Sequence, residues 1–110
     1  MRAKKSLGQN FLMHQATAER IASSAKLTSN DTVVEIGPGT GKLTRALLPH
    51  VKLVIAVEKD NALVFELRKT FSKEIQNKKL TLLHEDVRGF SYPKKTAYHV
   101  VANIPYYITG

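Results

Sequence analysis

Three closely spaced glycines form the first group of residues in this chain that could bind a ligand. The segment Glu35-Ile36-Gly37-Pro38-Gly39-Thr40-Gly41-Lys42 overlaps the end of Thr32–Ile36, an apolar, β-branched stretch that predicts a buried strand. Glycines between a strand and a helix let a ligand approach the backbone, and the helix start offers free N–H groups. We therefore predict a cofactor loop in which Gly37 and Gly39 provide the close approach.

The spacing of these glycines discriminates between classes of cofactor. A phosphate-binding P-loop needs glycine at the position of Ile36 and serine or threonine at the position of Leu43. The sequence therefore excludes a P-loop. A dinucleotide-binding G-x-G-x-x-G motif would need a third glycine at Lys42, which leaves NAD as a degenerate match only. The remaining pattern, E-x-G-x-G-x-G, resembles the first motif of class I methyltransferases, whose ligand is S-adenosylmethionine.

Acidic residues follow the next two predicted strands. Glu58 comes directly after the apolar segment 53–57 and 21 residues after Gly37, where a carboxylate can accept both ribose hydroxyls of an adenosine. NAD enzymes share this feature, so Glu58 indicates adenosine without selecting the cofactor. Glu85-Asp86 follows the third predicted strand, where a carboxylate could accept from the adenine amino group.

The segment Asn103-Ile104-Pro105-Tyr106 ends the fourth predicted strand and fits chemistry on an aromatic amine. The lone pair of such an amine is delocalised into the ring, and acceptors on its two protons would free that lone pair for attack. The Asn103 side chain and a backbone carbonyl within Ile104-Pro105 could be these acceptors. Pro105 fixes the turn, and Tyr106 could stack on an adenine taken out of its helix.

The elements that must position these residues alternate along the chain. The spacing of small and apolar residues predicts a helix over 14–26, and Asp60 is a candidate N-cap for a helix that carries apolar residues through Phe71. Strands are predicted near 32–36, 53–57, 80–84 and 99–103. Strands that alternate with helices indicate an α/β fold with a mainly parallel sheet and helices on both faces.

Composition and charge restrict the function further. The chain has 110 residues, 43% of them hydrophobic, and contains no cysteine, which excludes a disordered tail, a disulfide framework and a thiolate metal site. No apolar run approaches the roughly 20 residues of a membrane span, so we expect a soluble cytoplasmic protein. The net charge of +8 is typical of a nucleic-acid partner, although lysines that only aid solubility remain an alternative.

Together these motifs resemble those of the rRNA adenine dimethyltransferases, and the resemblance covers essentially the whole chain. The resemblance rests on these motifs, in chain order: Gln9-Asn10-Phe11-Leu12, the glycine loop, Glu58, Glu85-Asp86 and Asn103-Ile104-Pro105-Tyr106. The Gly-Pro-Gly-Thr-Gly loop and the opening Lys4 to Leu12 are more similar to the small-subunit enzymes than to the large-subunit enzymes of macrolide resistance. Tyr107 departs from the family, since many members have Asn there, but it lies outside the amine-holding pair.

The resemblance implies a fold, a reaction and roles for residues. It implies a Rossmann-like class I methyltransferase fold, with strand order 3-2-1-4, and dimethylation of adenine in small-subunit (16S) rRNA from S-adenosylmethionine during ribosome assembly. Asn103, Pro105 and Tyr106 would be catalytic, and Phe11 and Tyr106 would line the pocket for the target adenine. The implied cofactor contacts are Asn10, Leu12, Gly37, Gly39, Glu58, Asp86 and Asn103. No metal site is expected, nor any membrane partner, and the protein is expected to be a monomer.

The resemblance also predicts how the chain is organised. Residues 1–13 are expected to form a basic arm that contacts the cofactor, and 14–110 the N-terminal part of the methyltransferase domain. Family members are more than twice as long, so we expect a helical RNA-binding domain to be missing and the 110-residue chain to be inactive alone. The alternatives are a large-subunit methyltransferase and a non-catalytic rRNA-binding assembly factor.

Overall fold

A four-stranded parallel sheet forms the centre of the computed structural model, which describes residues 14–102. Its strands lie in the order β3-β2-β1-β4, and all three neighbouring pairs are parallel. Their bounds are β1, Thr32–Ile36; β2, Leu53–Glu58; β3, Leu80–His84; and β4, His99–Ala102. The parallel α/β class and the predicted strand order are therefore confirmed.

Four α-helices and two short 3-10 helices accompany the strands in this part of the chain; the first α-helix precedes β1, and the others lie between strands. The α-helices are α1, Gln15–Ser24; α2, Lys42–Leu47; α3, Asn61–Thr70; and α4, Ser72–Gln76. Asp60 caps α3 as predicted, because its side chain accepts a hydrogen bond from the Leu63 amide at 3.0 Å. Pro49 stops α2 as an α-helix, and the chain continues through it as a 3-10 turn over Leu48–His50.

The larger apolar core lies on one face of the sheet, beneath the α-helices. Alternate strand residues point to this face, and α1, α2 and α3 cover them with their buried sides, while Ile75 of α4 packs against the same cluster. The fully or almost fully buried members include Ala18, Val33, Leu43, Leu47, Val54, Leu67, Phe71 and Leu80.

The opposite face has a thinner cover in the described part of the chain. Val34, Ile36 and Val57 form a second cluster, against which aromatic side chains and Val87 pack. The aromatics are Phe90, Tyr92 and Tyr98, which contact one another edge-on or stacked. Within residues 14–102, a single 3-10 turn, Val87–Gly89, takes the place of the expected helices on this face, because residues 85–98 lack an apolar 3.6-residue period.

The register of the strands brings their carboxyl ends to one edge of the sheet. Ile36 is level with Val57 on one side and with Ala102 on the other. The Gly37 amide donates to the Val57 carbonyl at 2.9 Å, and the Glu85 amide donates to the Glu58 carbonyl at 3.0 Å. The loops that follow β1, β2 and β3 therefore meet at this edge. No helix within residues 14–102 has the length and apolar character to cross a membrane.

Candidate cofactor site

The glycine loop after β1 uses its three glycines in a conformation that other residues adopt at a cost. Gly37, Gly39 and Gly41 have φ angles of 66°, 61° and 93°, in the left-handed region. The Gly41 amide donates to the Pro38 carbonyl at 2.9 Å, which closes the loop, and Gly41 is the N-cap of α2. The loop is therefore a tight turn that leads directly into a helix.

Gly39 and Gly41 meet different surroundings. Among residues 14–102, a Cβ atom at Gly39 would have only the Gly37 carbonyl oxygen near it, at 3.9 Å, so these residues leave the space beside this backbone open. A Cβ at Gly41 would lie 2.6 Å from Cε2 of Phe71 and 3.1 Å from Cδ2 of Leu67. Gly39 can thus admit a ligand, whereas Gly41 lets the end of α3 pack against the loop.

Glu58 lies at the end of β2, and only 6% of it is exposed. Its Oε1 accepts a hydrogen bond from the Gly39 amide at 3.2 Å, and its Oε2 accepts one from the Asp60 amide at 2.9 Å. A carboxylate has about four acceptor positions, so both oxygens retain capacity for a further donor. Glu58 thus joins the loop after β1 to the start of α3, beside the open backbone of Gly39.

Glu35 is a site residue whose environment the sequence pattern did not reveal. It is fully buried in β1, and Thr44 Oγ1 donates to its Oε1 at 2.5 Å. Its Oε2 has no hydrogen-bond partner among the described residues. Burial raises the pKa of Glu35 to about 7, with a smaller contribution in the same direction from the negative charge of Glu58. An acidic residue inside an apolar strand is the sequence signal that could have identified this group.

Asp86 follows β3 and is held by a neighbour that the sequence reasoning did not single out. Its Oδ1 accepts from the backbone amide of Arg88 at 2.9 Å and from Nε at 3.0 Å, while Oδ2 accepts from Nη2 at 2.6 Å. The Arg88 guanidinium holds the pKa of the Asp86 carboxyl well below its usual range. Asp86 is therefore a charged acceptor in a short, exposed ion pair.

The structure brings some of the predicted site residues together and leaves others undescribed. Gly39 and Glu58 are joined by a direct hydrogen bond, and Asp86 follows Glu85, whose amide binds the Glu58 carbonyl. Gly37 lies in the same loop as Gly39. The remaining predicted site residues lie outside the described residues: Asn10, Phe11, Leu12, Asn103, Pro105 and Tyr106. Within 14–102 no group of three His, Asp or Glu side chains is arranged to hold a metal ion.

The described residues fit an adenosine-containing cofactor. Gly39 leaves open space beside its backbone, and Glu58 has acceptor capacity for ribose hydroxyls directly next to it. Asp86 presents a charged acceptor just beyond the end of β3, the strand beside β2, where it can meet an amino group. The helix that follows the loop has six residues and begins at Lys42.

Comparison with known proteins shows what the chain is similar to. The family model of the ribosomal RNA adenine dimethylases matches residues 1–110. The ribosomal RNA small subunit methyltransferase A of Mycoplasmopsis pulmonis is 40% identical over 110 residues, which are 100% of this chain and 42% of that protein. The chain spans about two fifths of the length of the curated relatives it matches.

Two solved structures extend the similarity to three dimensions. The crystal structure of the 23S rRNA methyltransferase ErmE superposes with a TM-score of 0.78 and 34% identity, over 91% of this chain and 39% of that one. A dimethyladenosine transferase from Plasmodium falciparum gives a TM-score of 0.73 and 36% identity, over 89% of this chain and 34% of its own. The class I methyltransferase fold that the motifs implied is therefore confirmed.

Proposed function

Because the chain belongs to the ribosomal RNA adenine dimethylase family, we propose that it is the cofactor-binding part of an enzyme that dimethylates adenine amino groups in small-subunit (16S) rRNA. The observation that carries this proposal is the contact between Glu58 and the Gly39 amide at the carboxyl edge of the sheet. This contact holds a potential ribose acceptor beside an open stretch of backbone. The reaction would take place in the cytoplasm, during ribosome assembly.

We propose S-adenosylmethionine as the cofactor, which when bound supplies an electrophilic methyl group on a sulfonium. Gly37 and Gly39 would approach it with their backbones, Glu58 would accept from its ribose, and Asp86 would accept from the adenine amine. For Asp86 to do so, the Arg88 side chain must leave at least one acceptor position of the Asp86 carboxylate free for the adenine amine. The Arg88 side chain is 85% exposed. Asn10 and Leu12 would contact the methionine end.

The target adenine would be activated by hydrogen-bond acceptors rather than by a strong base. The Asn103 side-chain oxygen and a backbone carbonyl within Ile104-Pro105 would each accept a hydrogen bond from one N–H of the adenine amino group. Held in this way, the nitrogen is drawn towards tetrahedral geometry and its lone pair becomes available. Tyr106 would stack on the adenine, and Phe11 would help to wall the pocket. After attack, the nitrogen can lose its proton to water.

The relatives favour the small ribosomal subunit over the large one. The curated relatives at 40% identity are named as small subunit methyltransferases, whereas ErmE, a 23S rRNA methyltransferase, is 34% identical. The opening Lys4 to Leu12 and the Gly-Pro-Gly-Thr-Gly loop support the same choice. The activity of the large-subunit type is the alternative that the assay must exclude.

A methylation assay on ribosomal subunits tests the proposal. The full-length protein is incubated with radiolabelled S-adenosylmethionine and either unmethylated small subunits or large subunits, and the labelled nucleosides are separated. We expect dimethyladenosine in the small-subunit rRNA, and little label with a Glu58→Ala variant at limiting cofactor. Label in the large-subunit rRNA, or binding of the rRNA without any methyl transfer, would contradict the proposal.

A further inference from the structure

The outer face of α3 exposes an aromatic ring that the core does not use. Val64, Leu67 and Phe71 bury the inner side of this part of the chain, with exposed fractions of 4% or less. Phe65 points away from them and is 61% exposed, the most of any large hydrophobic side chain in the described region. Burying this ring against a partner would therefore be favourable through the hydrophobic effect.

Cationic side chains accompany this ring on the same helix. The Lys69 ammonium lies 4.9 Å from the centroid of the Phe65 ring. Lys69 is also 3.7 Å from the Glu66 carboxylate, but both side chains are more than 60% exposed, so the pair contributes little stability. Arg68 is exposed as well and forms no ion pair within residues 14–102. Both cations therefore remain available to an anionic partner.

A further cation comes from the neighbouring helix. The Arg45 guanidinium of α2 lies 5.2 Å from the centroid of the Phe71 ring, and Arg45 is exposed. Phe71 is the residue that directly follows α3. Arg45 therefore lies beside the residue that follows the last turn of α3, the turn in which Arg68 and Lys69 lie. Over residues 61–79 the sequence has five basic residues and two acidic ones, a local excess of three positive charges.

An ordinary explanation covers only part of this arrangement. Basic residues in the last turn of a helix stabilise it by about 0.3–1 kcal/mol through the helix dipole, and Arg68 and Lys69 occupy that turn. The dipole gives no reason for an exposed Phe65 beside them. Cations that can neutralise phosphates next to an aromatic ring that can stack on a base are the combination used by proteins that bind single-stranded nucleic acid.

We propose that the outer face of α3, formed by Phe65, Arg68 and Lys69, is a second rRNA contact outside the cofactor site, with Arg45 near the carboxyl end of this helix. The cations would bind the phosphodiester backbone, and Phe65 would stack on an unpaired base. The inference rests on the proposed function, because it assumes an rRNA substrate. α3 starts three residues after Glu58 and runs away from the carboxyl edge for about 15 Å, so the contact would hold RNA that flanks the target adenine.

Charge-removal variants of the full-length protein test the cationic part. Arg68→Gln/Lys69→Gln is compared with Lys94→Gln/Lys95→Gln, which removes two exposed charges from the connection between β3 and β4. Affinity for naked 16S rRNA is measured as a function of salt concentration. If both α3 cations neutralise phosphates, the log–log slope becomes shallower by about 1.4, the value for two contacts to a single strand. The control pair should keep the slope of the parent.

Phe65 variants test the aromatic part. Phe65→Ala should weaken binding of the rRNA at least about fivefold, which corresponds to the lower end of base-stacking energies, and Phe65→Tyr should retain the parent affinity. Because these side chains are exposed and lie outside the cofactor site, all variants should keep the parent's affinity for S-adenosylmethionine. The Phe65 variants should also keep the thermal unfolding midpoint, whereas Arg68→Gln/Lys69→Gln should lower it slightly through the lost interaction with the helix dipole. Equal loss in the Lys94/Lys95 control, or unchanged slope and affinity in the α3 variants, would overturn the inference.

The outcomes separate this inference from the proposed function. If the parent neither binds nor methylates small-subunit rRNA, the proposed function fails and the inference fails with it. If the parent methylates but the α3 variants bind naked rRNA like the parent, only the inference fails. A loss of binding that appears with assembled subunits and not with naked rRNA would indicate a protein partner for α3, which would also overturn it.

Discussion

Glu58 Oε1 accepts a hydrogen bond from the backbone amide of Gly39 at 3.2 Å, and this contact couples the end of β2 to the loop that follows β1. The second oxygen of the same carboxylate accepts from the Asp60 amide, at the start of α3. One buried side chain therefore holds two loops and the beginning of a helix in place. The same side chain is the proposed ribose acceptor, so positioning of the loops and cofactor binding depend on one carboxylate.

Glu58→Ala should weaken binding of S-adenosylmethionine by about 1.5–3 kcal/mol, the usual contribution of hydrogen bonds to a charged group. Glu58→Gln keeps one acceptor oxygen and should show an intermediate loss. Titration calorimetry measures both, with Glu66→Ala, an exposed carboxylate on α3, as the control that should bind like the parent. Unchanged affinity in Glu58→Ala, or tighter binding of NAD than of S-adenosylmethionine by the parent, would refute the assignment.

Glu35 should make the stability of the protein depend on pH. Its pKa rises from 4.5 to about 7 in the folded state, so the folded protein favours the protonated form. This contribution is complete below about pH 4.5, decreases as the pH rises to about 7, and is constant above that. The free energy of unfolding of Glu35→Gln, which cannot ionise at this position, should therefore gain about 3 kcal/mol relative to the parent across this range.

Urea unfolding at pH 5 and at pH 8 measures most of this difference. The Thr44 hydroxyl can still donate to the amide oxygen of the Glu35→Gln variant, which introduces no charge, so we expect the fold to be kept. Glu66→Gln removes an exposed carboxylate and should follow the parent at both pH values. A Glu35→Gln protein whose stability relative to the parent does not change with pH would show that Glu35 is not held neutral.

Gly41→Ala should reduce the free energy of unfolding by about 2 kcal/mol or more. The φ angle of 93° disfavours a side chain, and the new Cβ would lie 2.6 Å from Phe71 Cε2. Gly89→Ala is the matched control, because a Cβ there would have no atom of residues 14–102 within 4 Å. Denaturant unfolding compares the two, and equal stability of both variants would contradict the packing account. Phe71→Leu should reduce the free energy of unfolding by less in the Gly41→Ala background than in the parent.

Asn103→Ala in the full-length protein should abolish methyl transfer while changing cofactor affinity only modestly, because its oxygen is proposed to act mainly on the target amine. Tyr106→Ala should lose stacking energy of about 1–3 kcal/mol, and Tyr106→Phe should be mild if the ring face is what matters. Transfer of radiolabelled methyl groups to small subunits, together with calorimetry of the cofactor, separates these effects. Full activity in Asn103→Ala would refute the acceptor mechanism.

Local patterns were sufficient to predict most of the fold. The strand over 32–36 was predicted at its observed bounds, and β2 and β3 were placed within one residue, because β-branched and apolar runs leave little choice of conformation. The Asp60 cap was likewise predicted from a local hydrogen bond. The predicted helix over 14–26 is shorter, Gln15–Ser24, since helix ends depend on packing and capping groups that a periodic pattern does not include.

The sequence by itself determined the residue types of the cofactor site and the loops that carry them, because the glycine spacing and the acidic residues after the strands are local signals. Only the tertiary structure decided the surroundings of each residue: Gly41 makes room for Phe71 from 30 positions away, Glu35 loses its solvent through burial, and Glu58 reaches the Gly39 amide. Desolvation and contacts between distant segments arise only when the strands pair and the helices pack, so no local pattern contains them.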